Sequence, residues 1–152
     1  MELFQLFPEL SMVTLASLHV FTKNPQYGRL LSGCILTIFV GVMLKKTTKR
    51  LIGPLPKSLV MRPTGAFGCN GEQKVDCTNE VGLPSIHSMI AGYYVSATGL
   101  RNLQKSWPLL LVPFARLGKA DSPLFHHSDA GCHSYPQIAA GFVTGLVLGR
   151  FI

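Results

Sequence analysis

The stretch LLSGCILTIFVGVML, residues 30–44, is the strongest apolar segment of the chain and the best indication of its fold class. Basic residues flank it on both sides: Arg29, Lys45, Lys46, Lys49 and Arg50. An apolar segment that is followed by a group of Lys and Arg is typical of a membrane span, whose basic flank stays on the cytoplasmic side. The segment is nevertheless shorter than the roughly 20 apolar residues of a free-standing span.

Four further apolar stretches accompany it: residues 10–21, 88–100, 107–115 and 138–152. Each is also short for a span, so the five segments are either core helices of a soluble protein or spans extended by polar residues inside a bundle. Glycines within the segments favour the second interpretation, because glycine weakens a soluble helix but allows close helix packing in lipid. Gly141 and Gly145 also have the GxxxG spacing.

The composition points the same way. Hydrophobic residues make up 47% of the 152-residue chain and charged residues only 14%, against about 25% charged in an ordinary soluble domain. The net charge is +7, but no Lys/Arg-rich run with interleaved aromatic residues accompanies it, so nucleic acid is not an expected partner. Anionic lipid or a phosphorylated substrate is expected instead. The sequence predicts one domain, residues 1–152, folded as an all-α membrane-embedded bundle of about five helices.

Two polar regions, residues 45–83 and 117–132, contain prolines and glycines that predict loops. Cys34 and Cys132 lie in or beside apolar segments and are expected to be buried free thiols. Cys69 and Cys77 share the first polar loop and could form a disulfide if that loop faces an oxidising compartment.

A histidine stands at the start of each of two apolar helices: His87 in GLPSIHS and His133 in GCHSYPQIAAG. A lone histidine at such a position is often only a capping residue. However, a helix N-terminus offers unpaired N–H groups and the positive end of the helix dipole, so it is a natural site for an anion. Lys57, Arg62 and Arg116 would add positive charge. The pattern therefore predicts a phosphate pocket.

Side chains that could ligate a metal by their type occur near the second histidine: His126, His127, Asp129, Cys132 and His133. Adjacent histidines do not readily converge on one ion, and no spaced pair of cysteines fits a zinc site. No metal and no other cofactor is expected.

The order of the polar motifs resembles the lipid-phosphatase superfamily, which comprises the type-2 phosphatidic acid phosphatases and the vanadium haloperoxidases. Arg62-Pro63 resembles its first signature, a Lys spaced ahead of Arg-Pro. Residues 84–87, PSIH, resemble the second signature, Pro-Ser-Gly-His, and residues 133–137 resemble the His and polar partner that end the third. The resemblance covers residues 45–149, and RPTGAFGCN and CHSYPQIAAG are similar to shortened members from large DNA viruses and algae.

The resemblance implies phosphatase chemistry without a metal. His133 would attack phosphorus and form a phosphohistidine, and His87 would protonate the leaving group. Gln137, one helical turn after His133, would hold the other ring nitrogen of that histidine. Four residues would bind the phosphate oxygens: Lys57, Arg62, Ser85 and Arg116.

The chain departs from the family pattern inside two of the motifs. Ile86 replaces the glycine of Pro-Ser-Gly-His, which is costly if that position needs a backbone angle that favours glycine. Gln137 replaces an aspartate, and it cannot stabilise an imidazolium by charge.

Two further positions allow alternatives. The arginine that the family places six residues before His133 is either Arg116, displaced by an insertion, or is replaced by His127. The lysine of the first signature is either Lys57 or Lys49.

Together these observations predict an integral membrane phosphatase that hydrolyses a lipid phosphomonoester, such as phosphatidate, or a polyprenyl diphosphate. Its expected partners are membrane lipid, the phosphorylated lipid substrate and either a second copy of the chain or virion proteins. Its expected location is a cellular membrane or the inner membrane of a virion. The alternative, favoured by Ile86 and Gln137, is a catalytically degenerate structural membrane protein of a virion or organelle with the same fold. A small channel or transporter is a third interpretation that rests only on the apolar helices.

Overall fold

The computed structural model describes residues 7–51, 56–63, 66, 69, 77, 79–99 and 132–152. Five helices lie within these residues: α1 (Phe7–Thr22), α2 (Pro25–Arg50), α3 (Lys57–Val60), α4 (Ile86–Ala97) and α5 (Tyr135–Phe151). The described residues contain no β-strand; they contain isolated bridge residues, among them the antiparallel pair Met61 and Val81. The predicted all-α class is therefore confirmed for the part of the chain that the structure describes.

Four of the five predicted apolar helices are present, and their ends differ from the prediction. α1 contains residues 10–21 and α2 contains residues 30–44, whereas α4 and α5 begin before residues 88 and 138. The fifth, residues 107–115, lies outside the described residues, as does the predicted loop 117–132 apart from its last residue. The loop predicted from residue 45 begins too early, because residues 45–50 continue α2. Lys and Arg are good helix formers, and in a last turn they complement the helix dipole.

α2 begins at a well-formed cap. The Asn24 side chain accepts a hydrogen bond of 2.9 Å from the backbone N–H of Gln26, and Pro25 occupies the first helical position. With 26 residues, the helix is about 39 Å long at 1.5 Å per residue. Among the described residues it alone is long and apolar enough to cross a membrane, judged by length and composition.

The packing of α2 is reversed relative to a soluble helix. Its buried positions carry small or polar residues: Gly33, Cys34, Thr37 and Gly41. Six of its large apolar residues are exposed, among them Ile35 at 53% and Phe39 at 57%. In water such a surface is unfavourable, because exposed apolar area costs about 25 cal/mol per Å². Small residues at helix contacts and large apolar residues outside are typical of helices packed in lipid.

α4 and α5 pack side by side in the same direction. Cβ atoms built at Gly141, Gly145 and Gly149 would meet the backbone of Ser85, Met89 and Tyr93 in that order. Contacts that advance by four residues along both helices require the two helices to be parallel. Since parallel helices begin at the same end, the starts of α4 and α5, with their histidines, are neighbours. The GxxxG spacing found in the sequence is thus a helix contact.

The cysteines do not pair as expected. Cys69 forms a disulfide with Cys132, whereas Cys34 and Cys77 are buried and take part in no disulfide. The prediction of a free thiol at Cys132 is therefore wrong, and Cys69, for which the sequence leaves a pairing with Cys77 open, pairs with Cys132 instead. The fold brings the residue before His133 to the loop that follows Arg62-Pro63, and a contact so distant along the chain leaves no pattern in the cysteine spacing.

Candidate active site

The starts of the two parallel helices are joined through their backbones. The N–H of Ser85 donates a 3.2 Å hydrogen bond to the carbonyl oxygen of Gln137. Ser85 is fully buried, and its hydroxyl accepts a 3.0 Å hydrogen bond from Ser88. The N-termini of α4, a helix of 12 residues, and α5, a helix of 17 residues, therefore lie together, and the positive ends of both helix dipoles face the same region.

A cavity of about 340 Å³ lies at this end of the molecule. His87, His133 and Arg62, each from a different predicted motif, all line it. Its other polar lining residues are Glu9, Lys45 and Cys69, and its apolar lining residues are Met12, Ile38, Ile86 and Ile90. The structure thus places one residue of each of the three motifs, Arg62, His87 and His133, at the same cavity.

Gln137 holds the second histidine in place. Its side chain is fully buried, and its Nε2 donates to the carbonyl oxygens of Leu59 at 3.2 Å and Met61 at 2.6 Å. These two acceptors fix the orientation of the amide, because only its NH₂ group can donate. Its Oε1 therefore accepts hydrogen bonds, one from the N–H of Ser134 at 3.3 Å and one from Nδ1 of His133 at 3.3 Å.

This network defines the tautomer of His133. Because Oε1 of Gln137 can only accept, Nδ1 of His133 must carry a hydrogen, and Nε2 of the neutral ring then carries the lone pair. Nε2 is the ring nitrogen that remains available for a ligand in the cavity.

His133 is kept neutral by its surroundings. The ring is only 3% exposed. Burial is the main cause that lowers the pKa of His133 well below its usual value, and the charges of Lys45, Arg62 and His87 lower it further, while the hydrogen bond with Gln137 opposes them. At neutral pH the imidazole is therefore unprotonated and able to act as a nucleophile.

Arg62 is 7% exposed and remains a cation. Its Nη2 forms an ion pair of 3.3 Å with Glu80, and its backbone N–H donates to the carbonyl oxygen of Glu80 at 2.9 Å. Burial lowers the pKa of Arg62, whereas the negative charge of Glu80 raises it. An arginine starts from so high a pKa that the guanidinium stays protonated. A fixed positive charge therefore faces the cavity.

The lysine of the cavity is Lys45. Lys57, in the four-residue helix α3, and Lys49, one turn further along α2, are both exposed and are not among its lining residues. The position of Lys45 could have been predicted from the sequence, but it was overlooked because Lys45 was assigned to the basic flank of the apolar segment. Gly33, Thr37 and Gly41 are buried at four-residue steps along α2, and Lys45 is the next residue in that stripe.

The remaining predicted residues are accounted for as follows. Ser85 occupies the N-cap position of α4 without a side-chain capping hydrogen bond, and it is buried outside the cavity lining. Arg116 and its rival His127 lie outside the described residues. Ile86 occupies the first position of α4 with an ordinary helical backbone, since Lys23 is the only non-glycine residue with positive φ among those described. The isoleucine therefore causes no backbone conflict, and its side chain packs toward Gly41.

No group of three or more His, Cys, Asp or Glu suited to a metal occurs among the described residues. Comparison of the chain with protein-family models, with curated proteins and with solved structures finds no match.

Proposed function

We propose that the protein is an integral membrane phosphatase that hydrolyses a lipid phosphomonoester or a polyprenyl diphosphate through a phosphohistidine. The observation that carries this proposal is the common cavity of His87, His133 and Arg62. These residues come from three separate sequence motifs, and a cavity lined by a neutral histidine and fixed cations suits phosphoryl transfer.

In the proposed first step, Nε2 of His133 attacks phosphorus as the bond to the leaving oxygen breaks. His87 gives its proton to that oxygen, so the leaving group departs as a neutral alcohol from a monoester or as a protonated phosphate monoester from a diphosphate. Arg62 and Lys45 stabilise the negative charge on the other phosphate oxygens in the transition state. Water then attacks the phosphohistidine, His87 takes up a proton from that water, and the N–P bond breaks to release phosphate.

The outward faces of the helices support a membrane location. Besides Ile35 and Phe39 on α2, large apolar residues are exposed on α1 and α5, including Phe21 at 85% and Val143 at 58%. Such a surface on several helices exceeds the single exposed apolar residues that are normal for a soluble protein. A surrounding bilayer would cover it.

The rival function is that of a structural membrane protein with partners in a virion or organelle membrane. Gln137 is the observation that favours it. A neutral amide orients His133 but gives the imidazole no compensating negative charge, so it also serves as a purely structural link between residues 59–61 and α5.

The two functions differ in a direct assay. The protein is purified in detergent and phosphate release is measured with phosphatidate and with a polyprenyl diphosphate, with a metal chelator present. His133→Ala is expected to abolish release, whereas His19→Ala is the matched control, because His19 is an exposed histidine that hydrogen-bonds the backbone oxygen of Asn24. Unchanged release by His133→Ala would sink the phosphatase proposal, and absence of release by the unmodified protein would favour the structural rival.

A further inference from the structure

The cavity contains a carboxylate that the proposed reaction does not use. Glu9 lies in the first turn of α1, and among the described residues that line the cavity it is the only acid. Met12, one turn further along the same face of α1, also lines the cavity and packs against the core. The face of α1 that carries Glu9 is therefore the face turned toward the ligand space.

The charges around the cavity do not suit a simple phosphate dianion. Lys45 and Arg62 supply two positive charges, and His87 adds a third while it holds the proton that it donates in the proposed reaction. Arg62 already pairs with Glu80, however, and Glu9 adds a second negative charge. A ligand with phosphate alone would gain from the cations and be repelled by Glu9. A ligand with both a phosphate and a positive group would satisfy both sides.

The apolar part of the lining indicates what else the ligand carries. Met12 and Ile38 come from α1 and α2, and Ile86 and Ile90 come from α4. These side chains offer apolar surface directly beside the charged groups, which suits the junction between a charged head group and a hydrocarbon chain.

We propose that Glu9 makes the cavity selective for phosphate monoesters whose head group also carries an ammonium group, that is, aminoalkyl phosphates. The carboxylate of Glu9 pairs with the ammonium group while Lys45 and Arg62 bind the phosphate. The apolar lining favours a lipid-borne head group over a free one. This inference depends on the proposed function only for the claim that the bound phosphate is hydrolysed. The selectivity itself concerns binding and can be tested without hydrolysis.

Glu9 also has a structural reason to be where it is. A carboxylate in the first turn stabilises a helix through its dipole, so a substitution that removes the charge is expected to lower thermal stability slightly. A purely structural role would weaken the binding of all ligands alike. The ratio of affinities for two matched ligands is therefore the informative measurement.

The test uses ligand pairs that differ in the ammonium group. Isothermal titration calorimetry of the full chain in detergent compares phosphoethanolamine with propyl phosphate, in which a methyl group replaces the ammonium. His133→Asn, which cannot form a phosphohistidine, is titrated in parallel so that turnover does not consume the ligand. Because Glu9 is exposed, phosphoethanolamine is expected to bind about two- to fivefold more tightly, the range of a solvent-accessible ion pair. Glu9→Gln is expected to abolish this preference and Glu9→Asp to retain part of it.

A second pair distinguishes the source of the ligand. Sphingosine 1-phosphate and its N-acylated counterpart, which lacks the ammonium charge, are compared in the same micelles. A Glu9-dependent preference seen only with this pair assigns the cavity to a lipid head group, and one seen only with the free pair assigns it to a soluble aminoalkyl phosphate.

Equal affinities within both pairs, a preference that survives Glu9→Gln, or no binding of any of the four compounds would overturn the inference. Phosphate release is measured separately. An intact Glu9-dependent preference without release would refute the phosphatase and leave the ligand class standing.

Discussion

The contact between α4 and α5 permits a prediction that joins the fold to the site. A Cβ at Gly145 would overlap the carbonyl oxygen of Met89 and lie 2.7 Å from its carbonyl carbon and 2.9 Å from its Cα. Ordinary contacts begin near 3.4 Å, so Gly145→Ala must separate the two backbones by at least about 0.7 Å, the difference between 3.4 and 2.7, and by more to clear the carbonyl oxygen of Met89. A backbone atom inside a packed helix cannot move by itself, so the whole helix must shift.

Gly41→Ala is the matched control. There the added Cβ would meet side-chain atoms, Cγ1 of Ile86 at 3.0 Å and Sδ of Met89 at 3.1 Å. These atoms can move by rotation about side-chain bonds. Both substitutions remove a glycine from a helix interior, which by itself favours the helix by about 1 kcal/mol.

Overpacking costs about 1–3 kcal/mol, and the helix gain offsets about 1 kcal/mol of it, so Gly145→Ala is expected to lose up to about 2 kcal/mol net, whereas Gly41→Ala stays near neutral. Thermal unfolding of both variants in one detergent measures this difference. Phosphate release should fall about tenfold or more in Gly145→Ala, because a displacement of about 1 Å near reacting groups is costly. A Gly145→Ala variant as stable as Gly41→Ala would show that α4 and α5 are not packed in parallel through this glycine face.

Three other outcomes follow from the site. Lys45→Gln should weaken the binding of inorganic phosphate several-fold in a calorimetric titration, whereas Lys57→Gln should leave it unchanged; the reverse result would move the binding lysine to α3. Since the folded-state pKa of His133 is depressed, the unfolded chain binds more protons below about pH 6.5, and stability should fall as pH drops through that value. His133→Asn should flatten that slope in unfolding measurements, and an unchanged slope would assign it to other groups. Cys69→Ser should lower the free energy of unfolding by about 4 kcal/mol, which is the chain-entropy value for a separation of 63 residues. A reductant should destabilise the unmodified protein but not this variant, because the variant lacks the Cys69–Cys132 bond, and further destabilisation of the variant would contradict this assignment.

The helices were predictable because their signal is local. Apolar runs marked α1, α2, α4 and α5, and the histidines at residues 87 and 133 were correctly expected at helix starts. The ends were less predictable, since the basic residues after α2 are polar yet good helix formers, and hydropathy alone ends the helix too early.

The site was predictable only in part, because its remaining members depend on packing. Lys45 was assigned to the basic flank, and Glu9 carried no motif at all. The partner of Cys69 could not be chosen from spacing, because it depends on how the segment after Arg62-Pro63 packs at the start of α5. In each case the missing information is which faces of separate helices meet, and composition does not contain it.

Lys45 also changes the meaning of the basic residues after the apolar segment. If the basic residues at the end of α2 are the cytoplasmic flank of a membrane span, this end of the helix lies in the cytoplasm. The same end of the molecule carries the Cys69–Cys132 disulfide, with Cys69 in the lining of the cavity beside Lys45, and disulfides persist in oxidising compartments. A lysine that binds an anionic ligand is present because of that ligand, so its charge is no evidence for the orientation of the helix in the membrane. For a membrane-embedded protein, the disulfide is therefore the better indicator of the compartment that the cavity faces, and Lys45 is better understood as part of the cavity.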